Sequence, residues 1–189
     1  MIIFIHGYGT SGKGGNAALL QSRFGKDEVY VPALKHKPLQ DMQDISNKIL
    51  DCFFEGEKVI LVGSSLGGFY ARILAAQFGV SAALINPAYT PSKGLTDYGT
   101  FTKFDCDEKF KWTKQENGDL RFLEENFKGK EESINKINFY VASDDELIDH
   151  SHLKGNFPFV KYFDNCGHRF LRFNEILDDI KNIKNKSFA

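Results

Sequence analysis

Cysteine is scarce in this chain, and its spacing pairs nothing. Cys52, Cys106 and Cys166 are the full complement among 189 residues, odd in number and far apart. That pattern indicates neither a disulfide framework nor a zinc site and fits a reducing compartment, so a cytoplasmic location is expected. An excess of charge of either sign is also missing. Twenty-four Lys and Arg stand against 25 Asp and Glu, a formal net charge of -1, so neither nucleic acid nor an anionic membrane surface is indicated as a partner. No long apolar run occurs either. Met1-Ile2-Ile3-Phe4-Ile5 is interrupted by His6 and has no basic residues before it, which falls short of a signal peptide or a membrane-spanning segment and reads as a first strand. Internal repeats and low-complexity stretches are absent. A hydrophobic content of 42% over residues 1–189 suits a single domain whose core needs no staples.

What is present is an alternation of short β-branched or aromatic runs with segments of helical period. The expected strands are Ile2 to Ile5, Glu28 to Val31, Lys58 to Val62, Ala82 to Ile85, Ile137 to Val141 and Phe159 to Phe163. Between them, Leu39, Met42, Ile45, Ile49 and Phe53 recur at helical spacing after Pro38, a first-turn proline. Leu66 to Phe78 forms a second helix stopped by Gly79, and Phe170, Phe173, Ile176, Leu177, Ile180 and Ile183 mark a third. Strands alternating with helices imply an α/β fold, a mostly parallel sheet of about six strands with helices on both faces. Residues 87–136 are too long for a plain connection and read as a cap-like insertion. Its aromatics, Phe101, Phe104, Phe110, Trp112, Phe122 and Phe127, admit two readings, an acyl pocket or a small satellite core.

The run Lys58 to Val62 leads through Gly63-Ser64-Ser65-Leu66-Gly67-Gly68 into the second helix. A G-x-S-x-G sequence between strand and helix is a nucleophile elbow, a tight turn that lifts a serine hydroxyl above the sheet. Adjacent serines compete for the role, and sterics choose between them. The elbow brings together the positions two before and two after the nucleophile; around Ser65 these are Gly63 and Gly67, around Ser64 they are Val62 and Leu66. Ser65 is therefore the expected nucleophile. The Leu66 amide then opens a helix, where unpaired N–H groups and the helix dipole favour an oxyanion.

The first strand delivers His6-Gly7-Tyr8-Gly9, an H-G-x-G turn that supplies the second oxyanion N–H from Tyr8, with His6 shaping the turn. The same loop satisfies G-x-x-x-x-G-K from Gly7 to Lys13, the pattern of a nucleotide-binding P-loop. That alternative lacks both magnesium ligands, because Gly14 stands where a Ser or Thr is needed and the strand at Val59 to Val62 ends in glycine. On the elbow reading, Thr10 to Gly15 is a flexible stretch at the mouth of the site and Lys13 is a solvated side chain.

Downstream of Ser65 the histidines are His150, His152 and His168. His168 follows the last strand, at the expected start of the last helix, where the base of such a triad belongs. His150 and His152 lie in a polar helical segment and read as surface residues; at i and i+2 they share no helix face, so with Asp149 they make no metal site. Cys166 reads as small packing. For the acid, Asp144, Asp145, Glu146 and Asp149 all follow the fifth strand closely, and one of the paired aspartates is expected to cap a following helix. A trailing aliphatic side chain fits Asp145 with Ile148 as well as Asp144 with Leu147, so spacing does not choose.

Ile5-His6-Gly7-Tyr8, Gly63-Ser64-Ser65-Leu66-Gly67-Gly68-Phe69-Tyr70-Ala71, Leu84-Ile85-Asn86-Pro87-Ala88, Asp145-Glu146-Leu147-Ile148-Asp149 and Gly167-His168-Arg169-Phe170 span nearly the whole chain. Together they resemble the small bacterial YqiA-like esterases of the α/β-hydrolase superfamily. The resemblance implies a compact α/β-hydrolase fold and the triad Ser65, Asp145 and His168, with Asp145 in register with the family's acid and Asp144 free to cap. It implies cleavage of a small-molecule carboxylic ester or acyl thioester with no cofactor and no metal. The rival classes are a P-loop nucleotide-binding protein and a hydrolase-fold binding module without activity.

Overall fold

The computed structural model describes residues 1–128 and 136–188, so residues 129–135 of the expected insertion lie outside the described residues. In chain order the elements are β1 (Ile2–Ile5), α1 (Gly15–Phe24), β2 (Val29–Tyr30), α2 (Pro38–Phe54), β3 (Ile60–Ser64), α3 (Leu66–Phe78), β4 (Ser81–Ile85) and α4 (Pro91–Gly94). There follow β5 (Gly99–Thr102), β6 (Lys109–Trp112), α5 (Lys114–Phe127), β7 (Ile137–Ala142), β8 (Val160–Phe163) and α6 (Leu177–Phe188). Six strands form one sheet in the order β2-β1-β3-β4-β7-β8, and every pairing in it is parallel. The expected fold is therefore present, with all six expected strands in place within a residue or two.

The continuous apolar runs of β1, β3 and β4 follow from burial on both faces. Along β1, Ile3 and Ile5 join one core with α2, α3 and α5. Ile2 and Phe4 join the other, with Ala17 and Leu20 of α1 and Ile180 of α6. Alternate side chains thus feed opposite layers. In α2, Met42, Ile45, Ile49 and Cys52 are buried, whereas Leu39 and Phe53, expected on the same stripe, are exposed.

Two expectations change. Helix α1 directly follows the loop read as flexible, and its weak apolar stripe, with Ala17 and Leu20 as its buried residues, gave little periodicity to find. The last helix starts at Leu177, not near Phe170. Phe170 takes a positive φ of 53°, and a 3-10 turn, Phe173–Ile176, precedes α6. Phe170, Phe173 and Ile176 still bury in the α6-side core, so their spacing reports contact without reporting helix.

Between β4 and β7 the chain forms α4, an antiparallel hairpin of β5 and β6 with Phe101 opposite Phe110, and α5. Phe110, Trp112 and Phe127, with Leu120, belong to the same core as Ile3 and Ile5, so these aromatics extend the main core instead of making a satellite. A capping box at Thr113 and Glu116 opens α5. The Glu116 carboxylate also takes an ion pair from Lys37, the residue that precedes α2. Burial pushes that carboxyl up, but the bonds from Lys37 and Thr113 outweigh it and bring it to about 2. The hairpin and α5 are in this way tied to the α2 side of the sheet.

Candidate active site

The site forms at the carboxyl ends of neighbouring strands, where a doubly wound sheet opens a crevice. At the end of β3 the backbone reverses through Ser65, whose φ of 55° and ψ of -119° lie where non-glycine residues pay a strain cost. Three backbone bonds hold it there. Ser65 N donates to Ile85 O at 3.0 Å, and Ser65 O accepts from Phe69 N at 3.2 Å and Ala88 N at 3.0 Å. The small flanking residues are required by distance. A Cβ on Gly63 would lie 2.4 Å from Gly67 O, and one on Gly67 would lie 2.0 Å from Ile5 O. Ser64 remains in β3, paired with Ile85.

Ser65 Oγ lies 3.0 Å from His168 Nε2. On the other side of the ring, His168 Nδ1 is 3.0 Å from each oxygen of Asp145. Asp145 is ionised: burial pushes its carboxyl up, but hydrogen bonds from His150 and His168 outweigh that and hold it well below the usual carboxylate range. An ionised Asp145 accepts, so His168 Nδ1 donates to it and Nε2 is the ring nitrogen that faces Ser65 Oγ.

The loops that carry these groups are held by side chains. The Asp145 carboxylate accepts from Leu147 N at 2.9 Å and Ile148 N at 3.0 Å, folding its own loop around itself. Asp144 does not cap a helix, because a turn and loop follow it, not a helix. Instead it accepts from Cys166 N at 3.0 Å and Gly167 N at 3.2 Å, just before His168. Glu146 accepts from His168 N at 2.9 Å. From the end of β4, Asn86, fully buried with φ 41°, donates to Gly167 O and His168 O, both at 3.0 Å. Its own oxygen accepts from Ala142 N at 2.7 Å. His168 is thus tied to the ends of β4 and β7.

A second correction concerns His150. Expected at the surface, it is buried, and its Nε2 lies 2.9 Å from Asp145 Oδ2. The reason is that Asp145 to His150 is a loop wrapped inward on a carboxylate, not a helix with a polar face. His152 is exposed, with its ring edge-on to Tyr89 at 4.3 Å. Cys166 is fully buried in the α6-side core. Asp149 accepts from Ser151 N at 2.8 Å within its own turn.

The turn after β1 lies against the elbow: a Cβ on Gly7 would touch Ser65 Cβ at 3.3 Å. Tyr8 follows, its ring edge-on to Phe110 at 5.2 Å and to Trp112 at 5.1 Å, while Leu66 opens α3 beside Ser65. His6 is buried, with Nδ1 2.8 Å from Thr10 Oγ1. The hairpin clamps the rest of the loop. Phe104 N donates to Gly9 O at 2.7 Å, and Asp105 accepts from Ser11 N at 2.8 Å and from Ser11 Oγ at 2.9 Å. Gly9 N donates to His36 Nε2 at 2.9 Å and Lys13 N to Ser11 Oγ at 3.2 Å. A P-loop needs such amides aimed at phosphate. Here the amides of Gly9, Ser11 and Lys13 are committed to protein acceptors, which argues against the alternative nucleotide cradle. Lys13 is solvated, its side chain 82% exposed.

Asn86, Asp144, Glu146 and His150 make contacts around Asp145 and His168 that reasoning on sequence did not anticipate. Asn86 stood in a motif, Asn-Pro-Ala, that carried no chemistry of its own, and the acids flanking Asp145 were indistinguishable from caps.

Comparison with known proteins places the chain. Est1E from Butyrivibrio proteoclasticus superposes with a TM-score of 0.68 at 15% identity, covering 100% of this chain and 88% of that one. A monoacylglycerol lipase from Paleococcus ferrophilus superposes with a TM-score of 0.68 at 13% identity, covering 96% of this chain and 94% of the other. At such identities the likeness speaks for the α/β-hydrolase fold alone. In sequence, the UPF0227 protein PM0825 of Pasteurella multocida is 24% identical over 192 residues, covering 98% of this chain and all of that one. A UPF0227 protein of Shewanella woodyi is 28% identical over 98 residues, about half of each chain at 50% and 55%. The profile described as "Uncharacterised protein family (UPF0227)" matches residues 1–185, and the chain belongs to that family.

Proposed function

We propose that this chain is a serine hydrolase that cleaves carboxylic esters or acyl thioesters through Ser65, His168 and Asp145. The observation that carries the reading is the continuous relay from Ser65 Oγ to His168 Nε2 at 3.0 Å and from His168 Nδ1 to Asp145 at 3.0 Å. In the acylation step the Ser65 hydroxyl proton moves to His168 Nε2 while Oγ bonds the acyl carbon. The amides of Tyr8 and Leu66 receive the oxyanion, and the imidazolium then returns its proton to the departing alkoxide or thiolate. A water deprotonated by His168 cleaves the acyl-enzyme. The chemistry requires no cofactor. The elements from Pro91 to Phe127 act as a cap, and through Phe104, Asp105, Phe110 and Trp112 they hold the loop that presents Tyr8. The esterase and lipase names of the structural neighbours support the ester class.

The test is covalent. A fluorophosphonate should label the wild-type protein and fail to label Ser65→Ala, which should also lose ester turnover by several orders of magnitude while keeping its fold. Ser64→Ala should label like the wild type. Labelling that survives Ser65→Ala, or vanishes in Ser64→Ala alone, would overturn the assignment.

A further inference from the structure

Asp145 is an anion with a side chain 1% exposed, and a buried carboxylate persists as an ion where donors replace its lost water. Its oxygens are served unequally. Oδ1 takes the two backbone amides of Leu147 and Ile148. Oδ2 takes His150 Nε2 at 2.9 Å, and His168 Nδ1 stands equidistant from both oxygens at 3.0 Å. His150 itself has a side chain 2% exposed, and its Nδ1 makes no hydrogen bond among the described residues. Burying an imidazole with one nitrogen unpartnered costs stability that a phenyl ring in the same space would not. Its backbone oxygen accepts from Tyr162 at 3.3 Å, which any residue at this position offers. The interaction particular to histidine here is the one with Asp145.

We propose that His150 is a positioning residue for the active site, a second imidazole that fixes the Oδ2 edge of Asp145 so that the carboxylate meets His168 in one orientation. The inference rests on the hydrolase reading above. Two amides pin one oxygen and His150 pins the other, so the carboxylate plane cannot turn about its bond to the chain. Without His150 the carboxylate keeps the two amides and His168 but loses its second anchor, and His168 loses the fixed acceptor that aims Nε2 at Ser65. Misalignment of a reacting pair lowers turnover more than it lowers substrate binding.

Two substitutions separate donor from filler. His150→Phe keeps the ring volume without a donor, whereas His150→Gln keeps an N–H near the Nε2 position with less volume. With p-nitrophenyl butyrate as substrate and a fluorophosphonate as label, His150→Phe should lower kcat and the labelling rate by about ten- to hundredfold with KM unchanged. His150→Gln, compared at equal folded fraction, should return kcat to within about threefold of wild type. Wild-type kcat in His150→Phe, or equal loss in both variants, overturns the proposal. Should the Phe variant not fold, nitrogen-15 NMR of the wild-type histidines decides: the proposal requires a protonated His150 Nε2, and an unprotonated Nε2 overturns it. A wild-type protein that neither labels nor turns over the ester would sink the Ser65 reading instead, and the NMR result would still stand or fall for His150 alone.

Discussion

The serine and its partners are held in place by different means. The elbow around Ser65 is a backbone device, in which Gly67 lies so close to β1 that a Cβ would sit 2.0 Å from Ile5 O. The loops bearing Asp145 and His168 touch through side chains, with Asp144, Glu146, Asn86 and His150 each supplying a bond that another conformation would leave unmade. A backbone device tolerates no substitution and stores its specificity in missing atoms. A side-chain scaffold spreads its specificity over several polar contacts, each worth a modest amount. The two regions should therefore fail differently, the first by unfolding and the second by losing rate.

The sharpest contrast comes from glycines. Gly67→Ala forces a methyl onto the backbone at the end of β1, 2.0 Å from Ile5 O and 2.5 Å from His6 O. It should cost at least about 3 kcal/mol of stability or abolish soluble expression. Gly118→Ala, in the middle of α5 with nothing within 4 Å of its Cβ, should stabilise by about 0.5–1 kcal/mol instead. Denaturant unfolding of both variants checks the pair. Near-native stability in Gly67→Ala would break the account of the elbow.

Asp145→Asn should cost rate first. Leu147 N and Ile148 N demand an oxygen at Oδ1, so the new amide NH2 must take the Oδ2 place and face the donors of His150 and His168. On the proposed hydrolase mechanism His168 is then driven to the other tautomer, and the acylation rate should fall by roughly two to four orders of magnitude. The same substitution has a pH signature. Because the folded Asp145 carboxyl is held below its usual range, the unfolded chain binds the proton more readily. Its contribution to stability is whole above about pH 4, the ordinary carboxylate value, and is lost as pH falls through the folded value. Stability measured against pH should accordingly show a flatter acid limb in Asp145→Asn than in the wild type. An unchanged limb would mean that the carboxylate is not the buried anion described.

This division also explains what could be read from the sequence. The strands and the elbow were legible because their rules are local: apolar runs, small residues two positions either side of Ser65, a helix stopped at Gly79. That His168 comes to lie beside Ser65 followed from chain order. Within Asp144-Asp145-Glu146 spacing did not choose and the resemblance alone pointed to Asp145, since each acid meets partners more than 20 residues away, Cys166, Gly167 and His168. His150 was misplaced for the same reason, as a polar neighbourhood in sequence became a buried loop once it closed on Asp145. Helix α1 escaped because it shows the core little more than Ala17 and Leu20.

The smallest effect belongs to Asp144, and it tests whether the scaffold works by hydrogen bonding or by charge. Oδ1 reaches both amides that precede His168, at 3.0 Å for Cys166 N and 3.2 Å for Gly167 N, while Oδ2 also reaches Cys166 N at 3.2 Å, and those bonds hold the carboxyl below its usual range. If acceptance is what matters, Asp144→Asn keeps the oxygen and should stay within about twofold of wild-type kcat, whereas Asp144→Ala should lose about three- to tenfold. The loss is bounded because Glu146 and Asn86 still hold the loop, at His168 N and at the carbonyls of Gly167 and His168. If charge matters instead, both variants should lose rate equally, because each removes the anion beside Asp145. Steady-state kcat for the two proteins, measured at low and high salt, separates the cases. An electrostatic effect at this exposed position is screened as salt rises, and a lost hydrogen bond is not.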